Sequence, residues 1–553
     1  MERQPRARAR EGDSCAPRGR DPHRAPARRR DRTRAQREVS RREVVRRARG
    51  PGRARAGRHG VVIRVGLGRT EPSYAGLVAP FHPGKAYPEL ASLLGNANGS
   101  PPNGAYAAVR AALCGLGLDA ERFGSEAWNP LGALVRRGRR VVLKPNFIRH
   151  WNPVDGATVE SVVTHGAIVR AMADYAFLAV GPEGSVAIAE APQQDCDFDR
   201  IRQLAGLDAM ARFYEDSLQR ELEVIDLRRE AVVFRDGIIV ARQSLPGDPL
   251  GYREVDLGEA SYFHGSGLDP RRFRGADYDP TDTTERHLDG RHAYLLSETV
   301  LSADLVVNLP KLKTHKKTGV TLALKNLVGI NGDKNWLPHH SVGSLAEGGD
   351  EFPEARWVDR MRSRATEVAR PWLARGRALG LFRLARRLEG AARGDAFIRS
   401  GNWYGNRTTW RMCLDLNRCL YYSDRAGLHL DAPRPVRTVL TVIDGIVAGE
   451  GEGPLAPRDV PLGVVLAATD PVALDLAAVR LMGFDERFLP KVSQPMRDER
   501  LRLTAVRSPA DVTVGEVQAG SFESRELRID DLRPARTFVA HPGWRGHIER
   551  AVA

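Results

Sequence analysis

Lysine is nearly missing from this chain. Of 85 basic residues only nine are lysine, and six of those nine fall in LPKLKTHKKTGVTLALKNLVGINGDKNWLPHH, residues 309–340: Lys311, Lys313, Lys316, Lys317, Lys325 and Lys334. Cysteine is scarce too. The five (Cys15, Cys114, Cys196, Cys413, Cys419) are scattered without a C-x-x-C pair, so neither a zinc knuckle nor an iron–sulfur cluster is expected. Their odd number suits a reducing cytoplasm. No stretch approaches the ~18 consecutive apolar residues of a membrane helix, so no membrane partner is expected. The N-terminus lacks the apolar core of a secretory signal.

What is present in excess is arginine, and it is unevenly placed. Residues 1–58 carry 21 arginines against 7 acidic residues, a net of +14, which leaves only +2 of the total +16 for the other 495 residues. Such a tail cannot bury a core and reads as disordered. Nucleic acid is not expected as a partner beyond non-specific contact with this arm. A dispensable extension, or translation from a start placed too far upstream, explains it more simply.

From about residue 60 the pattern is globular. Apolar runs at 61–67, 140–146, 185–190, 221–227, 303–310, 438–445 and 463–470 predict strands. Helices are predicted over 164–180, with Thr164 as N-cap, over 318–330, and after Asp470-Pro471. The alternation predicts an α/β fold: a mostly parallel sheet flanked by helices, with a helical insertion at 351–430 and the disordered N-terminal tail. Residues 228–296 read as a small antiparallel excursion. The domain divisions are 1–58, 59–485 and a C-terminal extension at 486–553.

Ligands of open α/β sheets collect where strands end. The strand exits here carry Lys144 and Asn146; Glu190, Gln193, Gln194 and Asp197; Asn308, Lys311, Lys313 and His315; and Asp444. In a helix over 318–330, Thr318, Thr321, Lys325 and Gly329 would share a face turned to that crevice. Its free N-terminal N–H groups would favour an anion. Lys316 and Lys317 read as solvated loop residues. Lysine is a compact charge whose pKa falls on burial, so an arginine-biased chain should keep it where a guanidinium does not fit. VGLGRT (65–70) fits neither the dinucleotide nor the P-loop fingerprint.

Nine stretches together resemble a bacterial and archaeal family named only as domain of unknown function 362: WNPLG (128–132), VVLKPNF (141–147), VVTHGAIVRA (162–171), AEAPQQDCDF (189–198), ADLVVNLPKLKTHKKTGVTLALKNLVGING (303–332), WLPHHSVG…GGDEFP (336–353), GNWYGNRTTWRMCLDLNR (401–418), VIDGIVAGEGEGP (442–454) and ATDPVALDLAAVRLMG (468–483). The resemblance is collinear over about 60–485. It points to Lys144, Asn146, Thr164, Glu190, Asn308, Lys311, Lys313, His315, Lys325, Asn326 and Asp444. Many relatives are similar to proteins with ferredoxin-type modules, whose cysteines this chain lacks. Glu190 stands where the family pattern implies aspartate.

The expectation is an enzyme acting on a phosphorylated or carboxylated small molecule. His315, Lys325, Lys144 and Glu190 are the candidate catalytic residues. Asn146, Thr164, Asn308, Lys311, Lys313, Thr321 and Asn326 are the candidate substrate-binding residues. Glu190 and Asp444 are the candidate ligands of a divalent ion such as Mg²⁺, with His315, His339 and His340 a weaker set. Transferase, ligase, isomerase and hydrolase chemistry would all use these parts. The alternative is a non-catalytic accessory or redox-partner protein of a larger assembly.

Overall fold

The computed structural model describes residues 62–94, 102–235, 238–276, 279–354, 357–374, 400–520 and 523–551. The arginine-rich tail and residues 375–399 of the expected insertion lie outside the described residues.

Ten of the eleven strands of the central sheet are β1 (Ile63–Arg69), β2 (Arg140–Pro145), β3 (Ser185–Glu190), β4 (Leu222–Asp226), β5 (Leu305–Leu309), β6 (Lys311–His315), β7 (Thr438–Glu452), β8 (Ala456–Ala468), β9 (Val512–Gln518) and β10 (Ser524–Arg528); the other is the short Gly319–Val320 pairing with β6. Across the sheet they run β10-β9-β1-β8-β7-β5-β2-β3-β4, with β6 paired alongside β7. Every step from β7 through β5, β2 and β3 to β4 is parallel. The β7–β8, β1–β8 and β9–β10 pairs are antiparallel. Seven predicted strands are thus found, and the expected C-terminal extension supplies two more to the same sheet.

Side-chain alternation sorts these strands onto two cores. Val142, Ala187 and Val306 face one cluster. Their neighbours Val141, Leu143, Val186, Ile188, Leu305 and Val307 face the other. The second core is covered by α1 (Gly104–Leu116) and α2 (Gly166–Val180). α1 lies so close to β1 that a Cβ on Gly66 or Gly68 would fall 1.9 or 2.1 Å from the carbonyl oxygen of Ala112 or Ala108. VGLG is therefore a packing surface. The first core is covered by α3 (Leu322–Asn326), α4 (Thr409–Tyr422) and α5 (Pro471–Leu481). The expected excursion at 228–296 is formed by the antiparallel pairs Glu230–Arg235 with Ile238–Ser244 and Tyr252–Asp256 with Ala293–Ser297, the last strand running one residue beyond it.

Two local expectations are corrected. The N-cap of α2 is His165, whose Nδ1 accepts from Ala167 N at 3.1 Å. The Thr164 hydroxyl instead donates to Leu309 O at 2.6 Å and accepts from Asn146 N at 3.0 Å, tying the ends of β2 and β5 together. The helix expected over 318–330 is much shorter. Gly319–Val320 is extended, with Gly319 at φ 73°, and Leu322 opens α3 at φ 52°. A 3₁₀ turn, Leu327–Ile330, follows α3. By contrast Asp470 caps α5 as predicted, accepting from Val472 N at 3.0 Å and Ala473 N at 2.9 Å with Pro471 next.

Candidate functional site

β6 is a strand rather than an exit loop, so Lys311, Lys313 and His315 recur every second residue on one side of it. They do not meet a common partner. Lys311 is fully buried and pairs with Asp444 at 2.9 Å. Asp444 also accepts from the Tyr74 hydroxyl and, at 2.9 Å, from His165 N. Lys313 donates to Asn146 Oδ1 at 3.1 Å and to the carbonyl of Val162. Only His315 reaches the cavity described next.

That cavity, of about 410 Å³, opens where β2, β3 and β6 end. Its polar wall includes Asn146, Glu190, His315, Lys317, Thr321, Lys325, Asn326, Lys334, His339, His340 and Arg370; its apolar wall includes Ile148, Pro192, Val328 and Leu455. Three wall groups are each held by a partner that does not line it. Lys144 forms a buried ion pair with Glu190. Lys313 donates to Asn146. Asn308 accepts from Asn326 at 2.8 Å, and Asn326 accepts in turn from Asn146 at 2.7 Å. Asn308 is itself fixed by donating to Ala323 O at 3.1 Å. The chain Asn308, Asn326, Asn146, Lys313 determines every amide orientation in it. Lys144, Lys313 and Asn308, read from the sequence as ligand contacts, thus stand behind the wall and aim it. Lys311, Thr164 and Asp444 lie off it altogether.

The turn after α3 is shaped to the ion pair. A Cβ on Gly329 would sit 2.0 Å from Glu190 Oε1 and 2.6 Å from Lys144 Nζ, so a larger residue there would have to displace the pair. The N-terminus of α3 does not receive a ligand anion. Asp475 of α5 already accepts from Ala323 N at 2.6 Å and Leu324 N at 3.4 Å, and its charge is met by Lys491 at 3.2 Å. The helix end expected to favour an anion is therefore already capped by a side chain of the chain itself.

Lys325 is the exception among these amines. It lines the cavity, is only 8% exposed, and has no hydrogen-bond or ion-pair partner among the described residues. Burial lowers its pKa, and its charge in turn depresses Lys144, Lys313, His315, Lys317, Lys334 and His339. Burial pulls Lys317 and Lys334 down to about 7. Burial raises Glu190, with Lys144 opposing. Burial, then Lys325 and other lysines, push His315 far below the ordinary histidine range, so its ring is neutral near pH 7. Its Nδ1 accepts from Lys317 N at 3.0 Å, which leaves the proton on Nε2. The histidine expected to titrate near neutrality is a fixed neutral donor here. Glu190 and Asp444, the expected metal ligands, are each engaged by a lysine.

Sequence reasoning missed Lys317, whose amine is buried and donates to Ser400 O. It also missed Lys334, which donates to Val328 O at 3.1 Å, and Arg370 from the helix Trp357–Ala374. The clustering of lysines was the available signal for the first two. None marked Arg370.

Fold and site together define an α/β protein with a basic, half-apolar cavity at its strand ends. Residues 256–480 match the family model described as Domain of unknown function (DUF362), the family that the motifs resemble. A thylakoid-associated protein of Synechocystis is 22% identical over 264 residues, covering 47% of this chain. The chain spans about half (53%) of that relative's length. No solved structure matches the chain. No helix among the described residues is long and apolar enough to cross a membrane.

Proposed function

We propose that the protein is an enzyme acting on a phosphorylated or carboxylated small molecule held in the strand-end cavity. One observation carries this: Lys317, Lys325 and Lys334, none of them ion-paired among the described residues, line a cavity whose only carboxylate among the described residues, Glu190, is already bound by Lys144. An anion entering there meets uncompensated positive charge in a low-dielectric setting, where electrostatic stabilisation is strongest. Asn146, Asn326 and the His315 Nε2–H orient it, and the apolar wall takes the rest of the molecule. Lysines do the charge work.

The test is a thermal-shift screen against phosphorylated metabolites, nucleotides and carboxylates, comparing wild type with Lys325→Ala. A rise in melting temperature that the variant loses supports the proposal; no rise with any anion sinks it. The thylakoid association of the Synechocystis relative favours a second reading, a non-catalytic accessory protein of a larger assembly. Co-purification of a stable partner, with no anion binding, would favour that one.

A further inference from the structure

We propose that Lys325 is a nucleophile: its amine condenses with a carbonyl group of the bound anion to form an imine, so the ligand is an anionic carbonyl compound such as an α-keto acid or a keto phosphate. This rests on the anion-site reading and names the substrate class for it.

An amine that attacks a carbonyl must be neutral, reachable and free of a counterion that would hold its proton. The other buried lysines, and half-buried Lys334, fail on contacts alone. Lys144, Lys311 and Lys491 are locked to Glu190, Asp444 and Asp475. Lys313 is spent on Asn146 and Val162. Lys317 and Lys334 line the cavity but donate to backbone carbonyls. Lys325 alone combines burial, a place on the cavity wall and an unpartnered Nζ among the described residues. Burial is the main influence favouring the neutral amine, with Lys491 helping and Cys413 and Glu190 opposing, and each unit of pKa depression raises the neutral fraction about tenfold near pH 7. The neighbouring amines would hold the carboxylate or phosphate while Lys325 faces the carbonyl.

The step balances without a co-reactant. The Nζ lone pair forms a bond to the carbonyl carbon, and the C=O π pair moves to oxygen. The resulting carbinolamine loses that oxygen and the two amine hydrogens as water, leaving C=N. The carbonyl carbon becomes electrophilic enough for cleavage or proton loss next to it.

The experiment uses the full chain with three probes, pyruvate, dihydroxyacetone phosphate and acetone, in the presence of sodium cyanoborohydride, which fixes an imine as a secondary amine. Peptide mapping reports the labelled lysine among the nine. The expected result is an adduct from pyruvate or dihydroxyacetone phosphate with Lys325 as the dominant labelled lysine, because it is the cavity amine with no partner among the described residues, and little from acetone. Lys325→Arg should lose it. Because the mapping is done on wild type, the outcome does not depend on how that variant folds. Labelling spread evenly over the lysines overturns the inference. If the same probes raise the melting temperature but leave Lys325 unlabelled, the imine is refuted and the anion site survives. If they neither bind nor label, and no other anion binds, both are refuted.

Discussion

Lys144→Met tests the layer that holds the cavity wall. The substitution keeps an apolar stem of similar length but strands Glu190, which is 4% exposed, without its counterion. It also removes the donor to Pro145 O at 2.8 Å. Breaking a buried pair by deleting one partner costs about 3–5 kcal/mol. The pH dependence follows from Glu190. Burial already raises its pKa, and the ammonium of Lys144 is the main influence opposing that rise. Without Lys144 the folded-state pKa climbs further above the unfolded value. The folded variant then binds a proton that the unfolded chain does not, so the penalty is full at pH 8 and shrinks as pH falls toward 5. Urea denaturation at pH 8, 6.5 and 5 measures it. Adding Glu190→Gln to Lys144→Met should recover part of the loss at pH 8, because no charge is then left unpaired. A cost below about 1 kcal/mol that does not vary with pH would refute the buried-pair account, since that is the scale of an exposed ion pair.

Other outcomes follow from the same geometry. Gly329→Ala should destabilise by about 1–3 kcal/mol, the range for overpacking, and abolish any anion-induced thermal shift, because its methyl displaces Glu190 and Lys144. Asp475→Ala should cost about 3–5 kcal/mol in urea unfolding, since Lys491 is left buried and unpaired and α3 loses its cap. For pH, Lys317 and Lys334 titrate at about 7 when folded but near the ordinary lysine value when unfolded. The unfolded chain therefore binds more protons above pH 7, and the ligand-free protein should gain stability between pH 7 and 10. Anion affinity, which needs those charges, should fall over the same interval; calorimetric titration at pH 6, 7 and 8 separates the two.

Legibility in the sequence depended on how local each cause was. The strands could be read because burial on both faces makes VVLKP, SVAIAE and LVVNL continuous apolar runs. Asp470-Pro471 could be read because cap and first turn are neighbours. TGVTLALKNLVG misled because its spacing is helical, whereas Gly319 and Leu322 adopt positive φ and the cap of α3 arrives from Asp475, some 150 residues away. The spacing could not sort the residues expected at the strand ends into those on the cavity wall, those behind it, and Lys311, Thr164 and Asp444, which lie off it. That sorting depends on β6 running beside β7, with a register shift between the Lys311–Asp444 and Lys313–Gly449 pairings. Nothing in the lysine spacing encodes it.

The lysine bias has a physical reading that one substitution can test. Six of the nine lysines are buried, against seven buried arginines among the described residues of a chain with 76. Lysine here thus marks interior positions more than ligand contacts. Lys313 shows why. Its surroundings offer two acceptors, Asn146 Oδ1 and the carbonyl of Val162, and no carboxylate within ion-pairing distance among the described residues. An amine can meet two acceptors and shed its charge, as burial beside Lys311 and Lys325 drives it to do. A guanidinium cannot: it brings five donors and a permanent charge. Each unmet buried donor costs about 1–3 kcal/mol, and more when charged. Lys313→Arg should therefore destabilise the protein more than Lys313→Met, which loses two hydrogen bonds but buries no charge. Parallel urea denaturation of the two variants decides it; an arginine variant as stable as wild type would show that the pocket around Lys313 is wet and that its lysine reflects something other than burial.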